Sequence, residues 1–140
     1  MQGTDLLRAQ LKGSCELIAD RSETLHGAWD AHVAPGTSRP GFILWHCARI
    51  VDWGVNAVVR RTAELGSDER WQGRIAYELG HGAGLTGDEA DSIPARVSPH
   101  DLSAYAGELQ AMIEAWIADM TDPDLDQAVD VRAANAMHPR

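Results

Sequence analysis

A chain of 140 residues has the length of one compact domain, 1–140, with a single sizeable core. Its composition, 44% hydrophobic and 24% charged, is that of a folded globular protein and argues against long disorder. Twelve Lys and Arg against 21 Asp and Glu give a net charge of -9, and no basic run offsets it, which argues against nucleic acid and anionic membranes as partners.

The N-terminal stretch has early acids and no apolar centre followed by small residues, so it does not read as a secretory signal. No stretch is expected to approach a membrane span, and cytoplasm is the expected location. Cys15 and Cys47 fit that compartment, because they form neither a CxxC pair nor a disulfide framework.

In chain order, a first helix is predicted from Thr4 to about Ala31, its stripe formed by Leu7, Leu11, Ile18, Leu25 and Trp29. "VAPGTSRPG" breaks it. Thr37 or Ser38 then caps a second helix with Pro40 in its first turn, running to about Leu65. The short link makes these helices antiparallel neighbours. From Phe42 to Val59 apolar residues occupy almost every face of helix two, which predicts a central, buried rod.

Residues 66–97 form a long Gly-rich connection, in which "TGDE" resembles a capping box for one short helix ending before Pro94. A connection of that length lets helix three run parallel to helix two. Helix three opens on "SPHD", with Ser98 as cap, Pro99 at the first helical position and Asp101 reaching back. Leu102, Tyr105, Leu109, Met112, Ile113, Trp116, Ile117 and Met120 trace one face. A last, shortened helix is predicted from about Pro123. The expected fold is therefore all-α, a four-helix bundle.

The residue that calls for chemistry is His46, set in "GFILWHCARIVDW". An imidazole left unpaired inside a core costs about 1 to 3 kcal/mol, so its ring nitrogens need partners: a metal ion, a backbone carbonyl or a Tyr hydroxyl. His26 is placed about one helical turn from the height of His46 on the antiparallel neighbour. His32, His81 and His100 fall in loops or at a helix start. Asp126 and Asp130 have i,i+4 spacing, suited to one ion or to a solvated acidic face. Asp52 lies about 120° around the helix from His46, which favours pairing with Arg49 or a neighbouring Arg over sharing an ion. Cys47 reads as a small buried hydrophobe or a nucleophile. Trp45, Trp53 and Trp116 read as core aromatics or a stacking wall. "GHGAG" reads as a flexible turn, since a phosphate loop needs a strand before it.

"RPGFILWHCARIVDWGVN", "RWQGR", "GHGAGLTGDEA" and "LSAYAGELQAMIEAWIADM" together resemble the DinB-like superfamily of bacterial helical proteins, over roughly residues 5–130. The most specific part is Trp45 and His46, with Asp52 six positions after the histidine. The resemblance implies an up-down-down-up bundle and a divalent metal, zinc, nickel or iron, held by a histidine of helix two and a His-x-x-x-His pair of the last helix. It also implies activation of a small-molecule thiol such as mycothiol or bacillithiol in a transferase or isomerase reaction. Only His46 falls on a ligand position. The His-x-x-x-His pair has no counterpart, and His138 is the sole histidine of the terminal segment. Two classes of function follow: a metal-dependent enzyme with an incomplete ligand set, or a non-catalytic bundle that binds a small molecule or a protein. A shortened last helix leaves one side of the core open, so a homodimer is expected.

Overall fold

The computed structural model describes residues 1–132. Those residues are all-helical, with no strand among them, and hold four α-helices: α1 (Gly3–Thr24), α2 (Pro40–Asp52), α3 (Gly87–Arg96) and α4 (Pro99–Ile117). His138 lies outside the described residues.

On α1 the core-facing positions are Thr4, Leu7, Leu11, Cys15, Ile18 and Ser22, continued by Leu25 and Trp29. Their alternating three- and four-residue steps keep one stripe in line. The helix stops at Thr24, short of the expected Ala31, and a 3-10 turn follows at His26–Ala28. Trp29 explains the change of course. Its indole Nε1 donates to Val97 O at 2.9 Å and its carbonyl accepts from Gly41 N at 2.9 Å, so the chain bends to tuck it under the start of α2.

The N-cap of α2 is Arg39, with Pro40 at the first helical position. Thr37, expected as a cap, instead closes its own turn by donating from Oγ1 to Ala34 O at 2.6 Å. After Asp52 the helix widens into a π-helical stretch, Trp53–Arg60, and ends at Arg61 in the left-handed region. There Asn56 O accepts from Thr62 N at 2.9 Å. The end thus falls five residues before the expected Leu65.

Helix two is not buried all round. Ile43, Ile50 and Val59 are exposed, and so is Cys47, which sequence reasoning placed inside. Pro40–Arg60 is also long and apolar enough, by length and composition alone, to cross a membrane, contrary to the sequence expectation. Here it packs as a bundle helix. Wholly buried on it are Trp45, Ala48, Arg49 and Asp52.

Direction follows from the cross-links. Glu23 meets Ser103, Glu16 meets Gln110, and Arg8 donates to Ile117 O, so α1 and α4 are antiparallel. Arg49 and Asp52 meet Tyr105 while Asn56 meets Met112, so α4 runs alongside α2 in the same sense. Between them the connection is folded inward: Trp71, Ile75 and Ala76 are core residues.

Thr86 and Glu89 form the capping box predicted from "TGDE", but α3 continues through Pro94 to Arg96. Ser98 caps α4 as predicted by accepting from Asp101 N at 3.0 Å. The Asp101 carboxylate, however, turns to Arg74, accepting from NH2 at 2.6 Å. The core face of α4 is the predicted one, with Leu102, Tyr105, Leu109, Ile113 and Ile117 buried.

After α4 a 3-10 turn at Asp122–Asp126 stands where the last helix was expected to start, and helical geometry returns only at Val131 and Arg132. Asp122 caps α1 from a distance. Its carboxylate accepts from Gly3 N at 3.1 Å, Thr4 N at 3.0 Å and Thr4 Oγ1 at 3.1 Å, meeting amides that a helix start leaves without partners.

Candidate functional site

Three neighbouring features of α2 hold the chemistry of this fold. The first is the turn around His46. Its Nδ1 meets the backbone O of His81 at 2.5 Å, so a carbonyl, one of the partners expected from sequence, takes one of the two ring nitrogens. Phe42 stacks on the ring, centroids 5.7 Å apart, and the His81 ring lies 4.7 Å from that of Trp53. "GHGAG" is the segment that makes this possible. Gly82 has φ +96, and a Cβ there would meet His46 Nδ1 and Trp45 at 2.7 Å, so only glycine lets the turn lie on the helix.

The sequence-predicted donors do not gather around His46. His26 is exposed and its Nδ1 meets Glu23 O at 2.8 Å; His32 faces Thr37 O and Asp91. His100 is exposed at the start of α4, and Asp126 and Asp130 share no helix. Among the described residues no three His, Cys, Asp or Glu side chains form a group able to hold a metal ion. A catalytic divalent site needs about three protein ligands. The donors that are described therefore do not fit such an ion. Cys47 is exposed, yet partial burial raises its thiol pKa, which leaves it less thiolate at neutral pH.

The second feature went unseen in the sequence apart from one pair. Arg49 and Asp52 are paired at 2.9 Å, as expected, but both are wholly buried and belong to a larger cluster. Arg49 also donates to Glu64 Oε2 at 2.5 Å, Tyr105 OH at 2.8 Å and Gly80 O at 3.2 Å. Asp52 accepts from Leu65 N and Gly66 N, both at 2.8 Å, from Asn56 Nδ2 at 2.7 Å and from the Tyr105 hydroxyl. Burial alone would lower the Arg49 pKa; Tyr105, Glu64 and Asp52 outweigh it and hold the guanidinium above its ordinary value. Burial, aided by Asp52, pushes the Tyr105 phenol well up against the pull of Arg49. No member of the cluster is accessible to substrate, so its chemistry is structural: it fastens the 61–86 connection to α2 and α4.

The third feature is a cleft of about 1070 Å³ where the N-terminal end of α1, the π-helical stretch of α2 and the end of α4 converge. Leu7, Leu11, Val51, Val55, Trp116 and Met120 line its floor, and Leu125, Val129 and Val131 one wall. It lies just above the upper end, about 1,000 Å³, of the usual volume of small-molecule sites, and its lining is mainly apolar, with Arg60, Arg61, Asp119 and Asp124 among it. Trp53 also lines it, and the indole N–H of Trp53 is buried without a partner among the described residues. Trp53 and Trp116 thus serve as walls, while Trp45 is a core residue whose Nε1 donates to Ile75 O at 2.6 Å. Helix periodicity placed these side chains on the right elements; the widened turn that opens the cleft leaves no sequence pattern.

Compared with protein-family models, curated proteins and solved structures, the chain matches none.

Proposed function

We propose that this chain is a DinB-like helical bundle that serves as a binding domain without catalysis of its own, its ligand a largely apolar small molecule. The observation that carries the reading is the cleft beside the π-helical stretch, whose floor is apolar and whose rim includes Arg60, Arg61, Asp119 and Asp124. Widened helical turns of this kind recur at functional sites.

The metal-dependent reading, with zinc, nickel or iron activating a thiol, lacks support from the donors around His46, because no group of three His, Cys, Asp or Glu side chains gathers there among the described residues. His46 acts instead as a pin between α2 and the connection, retained from the DinB-like pattern.

Titration with the apolar dye 8-anilinonaphthalene-1-sulfonate tests the proposal. One saturable site per chain is expected, weakened at least about tenfold in Val51→Trp, which fills the cleft, and unchanged in His46→Ala. Absence of saturable binding overturns it, as does stoichiometric zinc, nickel or iron in untagged protein that disappears with His46→Ala.

A further inference from the structure

Four residues of α2 form a line on its outer side. Ile43 is 48% exposed and Ile50 37%, Cys47 is exposed, and Gly54 is half-buried. Their steps of four, three and four keep them on one narrow stripe, the spacing by which two helices pack. Between Pro40 and Val59 the only charged residues are Arg49 and Asp52, and both are turned wholly inward. In a chain of net charge -9, this face opposes a second copy with no like charge.

We infer that this stripe pairs with the same stripe of a second copy, antiparallel, about a two-fold axis passing between Cys47 and Ile50. The order of side-chain sizes selects that register. With Cys47 level with Ile50 of the other copy, Ile43 comes level with the other copy's Gly54, so each large residue faces a small one at all four positions. A two-fold contact repeats every pairing twice, which makes one self-complementary stripe sufficient.

The ends agree in charge. Arg60 and Arg61 have no carboxylate partner in an ion pair among the described residues. At the opposite end of α2, Asp30 and Asp91 flank Arg39, their side chains 57% and 39% exposed. In the antiparallel register the Arg60 and Arg61 end of one helix lies toward that acidic end of the other copy's.

Sedimentation velocity and thiol cross-linking test the pairing on the full chain. A dimer is expected at tens of micromolar, joined by a short bismaleimide through Cys47, because the two thiols are offset by only about 4.5 Å along the helix axes. Cys15 is wholly buried and does not react, so Cys47→Ser abolishes the cross-link. Ile50→Glu places two carboxylates at the axis and raises the dimer dissociation constant at least about 100-fold. Leu17→Glu, at an exposed apolar site on α1, leaves it unchanged and controls for general surface charge. Circular dichroism of Ile50→Glu confirms that the monomer keeps its helices. A monomer at these concentrations overturns the inference, as does a dimer that survives Ile50→Glu or fails to cross-link through Cys47. Ile50 and Gly54 also line the cleft, whereas Cys47 does not, so the cross-link through Cys47 is the readout that separates this inference from the proposed function.

Discussion

Asp52 has five hydrogen-bond donors around one carboxylate, and Arg49 supplies one of them. A buried charge pair is a weak source of net stability, but breaking one strands the survivor. Removing a single partner costs about 3 to 5 kcal/mol. Arg49→Leu leaves Asp52 and Glu64 buried together without a cation, and we expect a loss of that order in urea or thermal unfolding. Tyr105→Phe removes one hydroxyl from a carboxylate that keeps four other donors, so about 1 kcal/mol is expected. An equal loss from the two variants would contradict the cluster as described. Sequence alone revealed only the Arg49 and Asp52 pair, because their spacing lies within one helix. Glu64 and Leu65 were read as the end of helix two and Gly66 as the start of the connection, so nothing suggested that they turn back onto Asp52, and backbone amides carry no residue-type signature at all.

Among the elements, α4 was legible almost completely: Ser98, Pro99 and a clean apolar stripe mark its start and its inner face. Helix α2 was legible in existence but not in orientation. A helix with apolar residues on every side has no moment to tell inside from outside, so Cys47 and Ile50 were wrongly placed within. Nor does any residue pattern announce a widened turn. What fixes the orientation of α2 is its contact with the connection, above all where Gly82 lies on Trp45 and His46. Gly82→Ala combines a left-handed φ with a Cβ at 2.7 Å from two rings, and about 1 to 3 kcal/mol of destabilisation is expected in thermal unfolding. The same substitution at Gly13, where a Cβ meets nothing within 4 Å, is expected to be neutral or stabilising.

For the molecule as a whole, Asp122 joins the beginning of the bundle to its other end. Hydrogen bonds from Thr4 N, then Gly3 N, lower its pKa below the usual carboxylate value of 3.8, as the bonds from Thr121 do for Asp124. A carboxyl lowered on folding contributes stability that is complete above its unfolded value and is lost as pH falls through its folded one. Unfolding followed between pH 6 and pH 2 should therefore show stability falling below about pH 4, with a shallower fall in Asp122→Asn. A slope unchanged by that substitution would remove Asp122 from the acid response. The 61–86 connection is tied into the bundle at equally long range. Surface loops ordinarily accept spliced-in peptides, because few interior groups depend on them. Here Leu65 N, Gly66 N and the Gly80 carbonyl are the counterparts of a sealed charge cluster, and Ile75 fills the core. An epitope tag inserted at 64–66 or 80–82 is thus as disruptive as one placed in a helix, whereas the Gly36 turn, where a Cβ meets nothing, offers the permissive seam.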